Sequence, residues 1–329
     1  MEERGWPSRP RRRTMIIYRS LEEIPAKLPN AVVTIGNFDG VHLGHREIFR
    51  KVRHSAAKLG GVSVVVTFAP HPLKVVAPDR EFRLITTYDE KERLIAESGI
   101  DVLVIVPFSR QFSAISAELF VREILVETIG MKSLVIGFDY AFGRNREGNI
   151  DLLRRLGDEV GFTVDVLDQV GNGETGFSSS MVRELISAGD VKRVVPLLGR
   201  YFSVGGEVVH GFHRGKQLGF PTANIRVEEE LLPKPGVYAV KVEGEGGVLD
   251  GACNVGDNPT FHGSKLTVEV HLLDFDGDIY GHRLRVYFVE RIRDEHEFSG
   301  VPSLLEAIRH DITRCREILP RVSLIHHHE

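Results

Sequence analysis

The sequence predicts two domains of different class: an α/β domain built on a parallel sheet, then a small antiparallel β-barrel closed by a helix. Three observations carry this expectation. Apolar strand-like runs alternate with helix-periodic segments from residue 31 to 167, the pattern of a parallel sheet covered by helices. From Tyr201 the chain changes to short alternating runs separated by glycine, proline and aspartate turns, as at 244–247 and 274–277, which predicts a small antiparallel barrel. The apolar spacing of residues 301–319, with Pro302 in the first turn, predicts one closing helix.

Taken in order, residues 1–14 hold five arginines and no apolar run, so they are expected to be a disordered extension, with the fold starting at Met15. A basic arm for an acidic partner is the alternative reading. Residues 31–35 read as a buried strand, and the helical periodicity of 45–59 stops at Gly60 and Gly61. Thr87-Tyr88-Asp89-Glu90 has the form of a capping box opening a helix that Gly99 closes, before a strand at 102–106. Ser116 can cap a helix ending near Gly130, and 134–137 is strand again. These elements give a first domain over 15–188, a linker over 189–200 and a second domain over 201–329.

Composition narrows the classes of function. The chain has 329 residues, enough for two substantial cores, and a net charge of −4 that gives no reason to propose DNA or RNA as partner. Its two cysteines, Cys253 and Cys315, are unclustered, which fits a reducing cytoplasm and suggests neither zinc nor a disulfide framework. No apolar run approaches membrane-spanning length. The expected partners are small-molecule substrates, with neither nucleic acid nor membrane; oligomeric state is left open. His326-His327-His328 reads as a short tail or tag remnant, with metal binding as the alternative.

Chemistry concentrates first at Gly36-Asn37-Phe38-Asp39-Gly40-Val41-His42-Leu43-Gly44-His45, where a predicted strand meets a helix. A helix N-terminus favours an anion, and Gly40 and Gly44 let the backbone approach it. Two histidines add donors for the charge that develops as pyrophosphate leaves. The motif resembles the HxGH element of the nucleotidyltransferase superfamily. Ser178-Ser179-Ser180-Met181-Val182-Arg183 stands where that superfamily writes ISSTxxR, with Ser180 replacing the usual Thr. Hydroxyls and an arginine fork suit nucleotide phosphates, although a triple serine also reads as a helix cap. The resemblance implies a Rossmann-like nucleotidyltransferase domain, with Gly36, Phe38, Asp39, Gly40, Gly44, Ser178, Ser179 and Ser180 binding ATP and His42, His45 and Arg183 catalytic.

The second half carries His210-Gly211-Phe212-His213-Arg214-Gly215-Lys216-Gln217-Leu218-Gly219-Phe220-Pro221-Thr222-Ala223-Asn224, which is similar to riboflavin kinase. Further matches follow in that family's order: Lys234-Pro235-Gly236-Val237-Tyr238, Asn254-Val255-Gly256, Thr267-Val268-Glu269-Val270-His271-Leu272 and Arg293-Asp294-Glu295. By resemblance, Gly211, Gly215, Lys216, Gly219 and Pro221 contact ATP, Thr222 and Asn224 hold Mg²⁺, and Glu269 is the general base. Lys216 departs from the family's common arginine and loses the planar fork. Asn254, Arg293 and Glu295 are the flavin-site candidates. A strand glutamate also suits a solvent-facing ion pair.

The whole stretch from about Ile16 to Leu319 resembles the bacterial bifunctional riboflavin kinase/FMN adenylyltransferase family, often called FAD synthetases. Two loops of the first half join the pattern, Pro70-His71-Pro72 and Gly137-Phe138-Asp139-Tyr140-Ala141-Phe142-Gly143-Arg144-Asn145. In them, Pro70, His71, Pro72, Asp139, Phe142 and Asn145 are expected to contact flavin, Phe142 with core packing as the alternative. The resemblance implies phosphorylation of riboflavin to FMN by the second domain and adenylyl transfer from ATP to FMN by the first, giving FAD and pyrophosphate. Two rivals stand beside it: a transferase for another phosphorylated acceptor, and a catalytically silent flavin-binding protein.

Overall fold

The computed structural model describes residues 14–168, 176–210, 218–227, 230–257 and 266–324. Two compact units share them: 14–38, 45–82 and 88–168 form one, and 39–44, 83–87 and the described residues from 176 onward form the other.

The first unit is built on six strands, β1 (Ile16–Tyr18), β2 (Ala31–Ile35), β3 (Ser63–Ala69), β4 (Val102–Pro107), β5 (Met131–Gly137) and β6 (Thr163–Leu167). They lie in the order β1-β4-β3-β2-β5-β6, and every pairing is parallel. All five residues of β2 are buried. That explains its unbroken apolar reading, because helices cover both faces of such a sheet. The first-unit helices are α1 (Leu43–Lys58), α2 (Pro72–Val76), α3 (Tyr88–Glu97), α4 (Arg110–Ser113), α5 (Ala117–Leu119) and α6 (Ile150–Val160).

Ser116 caps α5 by accepting from the Leu119 amide. Beyond α5 the chain continues as a π-helix, Phe120–Ile129, which ends at Gly130 with φ 83°. The strand order turns about β2: β3 lies on one side and β5 on the other. The loops after β2 and β5 therefore leave the sheet at its switch point, where open α/β sheets bind ligands.

The second unit is a closed barrel of β7 (Phe202–Val209), β8 (Ala223–Arg226), β9 (Gly236–Gly244), β10 (Gly247–Asp257), β11 (Leu266–Leu272) and β12 (Arg283–Asp294). The order around it is β10-β11-β8-β7-β12-β9, with antiparallel neighbours throughout. Strand β11 shows how the sequence sets the faces: Val268, Val270 and Leu272 are buried, and Thr267, Glu269 and His271 between them are partly exposed. The closing helix is α9 (Val301–Ile318), preceding which come α7 (Ser179–Ala188) and α8 (Val191–Leu198).

The expected linker, 189–200, is largely helical. Helix α8 buries Val191, Val194, Leu197 and Leu198 in one core with Val182 and Ile186 of α7 and with Val204, Val240 and Phe288 of the barrel. The apolar spacing of those four residues is that of a packed helix face.

Candidate active sites

The histidine loop runs from the end of β2 into α1. Its backbone is unusual: Phe38, Gly40 and Val41 all have positive φ, at 48°, 82° and 39°. For the two non-glycine residues this is a strained conformation, which persists only where surrounding contacts fix it. Phe38 is buried, with its ring edge-on to His45 at 5.1 Å and to Phe49 at 4.9 Å. A Cβ on Gly36 would come within 2.9 Å of the Phe38 ring. Gly36 is thus required for the ring to fold back under the strand end.

His42 is buried, and burial together with the positive charge of Arg200 lowers its pKa to about 4. It is a neutral imidazole at pH 7. Gly44 lies against it, since a Cβ there would sit 3.1 Å from the ring. His45 stands half-buried in the first turn of α1.

The serine-arginine motif meets the same loop. Ser178 is the N-cap of α7, accepting from the Met181 amide at 3.2 Å, so the cap reading of that serine holds. Ser179 Oγ donates to the Asp39 carbonyl at 2.9 Å, and Ser180 lies in the first turn. Asp39 is buried; its carboxylate accepts from the Ile85 amide at 3.0 Å, the Thr86 amide at 3.4 Å and the Arg183 guanidinium. Arg183 also donates to the Arg83 carbonyl. Asp39 and Arg183 are therefore engaged with each other and with the 83–87 segment.

A cavity of about 670 Å³ opens at the switch point of the sheet, within the size range of sites for cofactor-sized ligands. Gly36 and Asn37 form part of its wall, with Phe68, Pro72, Asp139 and Asn145. Phe142 also reaches it, yet is only 9% exposed and packs in the core against Phe120, with Tyr140 stacked on it at 5.4 Å. It forms a wall from the side, and burial pushes the Tyr140 hydroxyl pKa up. Of the other loop, Pro72 lines the cavity and Pro70 is exposed after a cis peptide. His71 is buried, stacks on Phe82 at 4.3 Å and caps α2. The geometry gives His71 a structural place.

On the barrel, register brings three predicted residues into one row. Glu269 of β11 pairs with Asn224 of β8 on one side and with Asn254 of β10 on the other. Paired side chains share a face about 5 Å apart, and all three are partly exposed, so the row lies on the outside of the barrel. Thr222 and Pro221 immediately precede β8, and the Pro221 carbonyl lies 2.8 Å from His271 Nδ1 on the same outer face of β11. Gly219 has φ 86°. Gly211, Gly215 and Lys216 lie outside the described residues, as do residues 1–13 and the histidine tail. Asn254 donates to Glu295 at 3.4 Å. Arg293 is held by the buried carboxylate of Asp311 on α9, at 2.8 to 3.1 Å, which ties the strand end to the closing helix.

Among the described residues no group of three or more His, Cys, Asp or Glu could hold a metal. Thr222 and Asn224 offer neutral oxygens, a donor set that suits Mg²⁺ sharing its remaining ligands with substrate phosphates.

Two residues at the histidine loop escaped sequence reading. Buried Lys91 donates to the Asn37 carbonyl and to Thr67 Oγ1, both at 3.2 Å. Its place three and four residues before buried Leu94 and Ile95 puts it in the apolar stripe of α3, a signal the sequence did contain. Arg200 donates to the Gly40 and Val41 carbonyls at 2.7 and 3.2 Å; that contact spans some 160 residues and leaves no local trace.

The first unit thus carries a histidine loop at the switch point of its parallel sheet, and the barrel carries an outward carboxylate between two amides. The FAD synthetase family model matches residues 24–181, and the riboflavin kinase family model matches 198–319. The bifunctional riboflavin kinase/FMN adenylyltransferase of Escherichia coli K12 is 38% identical over 87% of this chain and 92% of its own length. That of Pseudomonas fluorescens is 37% identical over 92% and 98%. A crystal structure described as a macrolide-efflux protein from Streptococcus pneumoniae matches with a TM-score of 0.82 and 33% identity over 92% of this chain and 99% of that one. No described helix of this chain is long and apolar enough to cross a membrane. The chain belongs to the bifunctional riboflavin kinase/FMN adenylyltransferase family. It is an enzyme of two-step FAD synthesis from riboflavin.

Proposed function

We propose that the outer row of the barrel carries the kinase step and that the histidine loop with its neighbouring cavity carries adenylyl transfer. In the first step Glu269 takes the proton of the riboflavin 5′-hydroxyl, whose oxygen attacks the γ-phosphorus of ATP as ADP leaves. Asn224 and Thr222 would hold Mg²⁺, which when bound neutralises phosphate charge. Asn254, next to Glu269 across the strand pair, orients the flavin hydroxyl, and Glu295 holds Asn254.

In the second step the FMN phosphate attacks the α-phosphorus of ATP and pyrophosphate departs. No protein nucleophile is required, since phosphate is itself nucleophilic and positioning with electrostatic stabilisation can account for the rate. Neutral His42 donates one N–H, and His45 and the N-terminus of α1 add positive potential where charge collects. Arg183 and Ser179 hold the loop through Asp39. The flavin occupies the cavity beside Asp139, Asn145 and the Phe142 wall. The observation that carries this reading is that Gly36 and Asn37, which open the histidine motif, also line the 670 Å³ cavity. A cytoplasmic location fits both substrates.

The test is the flavin product profile of two variants given riboflavin, ATP and Mg²⁺, with folding checked by circular dichroism. Glu269→Gln keeps the shape and removes the base, so FMN formation should fall by about 10²–10⁴-fold, with supplied FMN still converted to FAD. His45→Ala should do the opposite and let FMN accumulate. A folded Glu269→Gln protein with normal kinase activity would remove that residue from the mechanism, and normal FAD synthesis by His45→Ala would remove the histidine motif.

A further inference from the structure

Arg200 falls within the stretch matched by the riboflavin kinase model, residues 198–319, yet its guanidinium serves the loop that carries His42. It is 8% exposed and donates to three carbonyls: Gly40 at 2.7 Å, Val41 at 3.2 Å and Leu198 at 3.4 Å. Burying a cation costs several kcal/mol unless it is well paired, so a side chain that only filled space here would be better apolar. Two of these acceptors belong to the positive-φ residues Gly40 and Val41, which need an external constraint to keep their conformation.

The geometry of the peptide unit turns that constraint into a function. In a trans peptide the C=O and the following N–H point in opposite directions. Drawing the Gly40 and Val41 carbonyls onto Arg200 therefore aims the Val41 and His42 amides the other way. The preceding carbonyl, that of Asp39, is held in turn by Ser179 Oγ at 2.9 Å. A run of three carbonyls is thus fixed by donors from residues 179 and 200. Oxygens that would repel a phosphate are sequestered, and the backbone that carries His42 is held in one conformation. The charge of Arg200 also contributes to keeping His42 neutral.

We propose that Arg200 is a positioning residue for adenylyl transfer: its buried guanidinium holds back the Gly40 and Val41 carbonyls and so fixes the backbone from which His42 meets the ATP phosphates. The proposal rests on reading the histidine loop as the phosphate-binding element. It makes one residue of the kinase-matched stretch a requirement of the other reaction.

The experiment uses the full chain with Arg200→Met and Arg200→Lys, assaying FAD formation from FMN and ATP and FMN formation from riboflavin and ATP. Arg200→Met should lower kcat for adenylyl transfer by about 10²-fold, the scale of a misplaced reacting group. KM for FMN and kcat of the kinase step should stay within about two-fold, because Arg200 touches neither substrate. Arg200→Lys restores a cation without the fork and should recover part of the loss. Equal loss of both activities, or loss of neither, overturns the proposal. If Arg200→Met is insoluble, Arg200→Lys carries the same test: a selective fall in adenylyl transfer supports the assignment, and an equal fall or none overturns it. His45→Ala run in parallel separates the failures. Normal FAD synthesis by His45→Ala defeats the reading of the loop, whereas a crippled His45→Ala beside a normal Arg200→Met defeats the assignment of Arg200 alone.

Discussion

His42 links protonation to folding. Its pKa falls from the usual 6.5 to about 4 in the folded chain, so between those values the unfolded chain binds the additional proton. Stability from this group is complete above pH 6.5 and is lost as pH falls toward 4. Between about pH 7.5 and pH 5 the loss should be on the order of 2 kcal/mol. Denaturant unfolding of the wild type and of His42→Asn at both pH values should show the smaller loss in the variant; identical losses would mean that His42 is not held neutral. The residue types needed for this chemistry were legible in the motif, whereas their protonation state was not. Arg200 sets part of it from a distant point in the sequence.

The loop after β5 gives a second expectation. Phe142 and Gly148 face each other in a two-way backbone bridge, with N to O distances of 3.2 and 2.9 Å. A Cβ on Gly148 would come within 2.5 Å of the Phe142 ring, and that ring walls the cavity. Gly148→Ala should therefore push the ring inward at a cost of about 1–3 kcal/mol, raise KM for FMN by roughly ten-fold in adenylyl transfer and leave riboflavin phosphorylation unchanged. An unchanged KM would show that the ring yields elsewhere.

Strand and helix positions were largely readable, because buried parallel strands and capped helices write themselves in local pattern: β2 begins and ends at the residues expected, and Ser116 and Gly130 bound their helical stretch. The π winding of 120–129 was not readable. It changes hydrogen-bond partners without changing which residues are apolar. Nor was the row Asn224–Glu269–Asn254, since register depends on pairing partners far apart in sequence.

The molecule as a whole divides differently from the sequence boundaries. Helices α7 and α8 contribute Val182, Ile186, Val191, Val194, Leu197 and Leu198 to the core shared with the barrel. A fragment of residues 201–329 should therefore melt at least about 10 °C below one of residues 176–329. Equal melting temperatures would mean that the barrel core is complete without the helices. In sequence, a short apolar helix between two domains looks like a connector until its buried face finds a partner, as that of α8 does in the barrel core.

The alternation of β11 carries a consequence for how this family can change over time. Val268, Val270 and Leu272 fill the lumen, and Thr267, Glu269 and His271 occupy the opposite face of the same strand. Volume-conserving exchanges inside can accumulate without touching the chemistry outside. An insertion or deletion of one residue within β11 could not, because it would turn Glu269 inward and a valine outward in a single event. Homologous strands should thus vary freely in composition on the inner face, while length changes are confined to the turns that flank them.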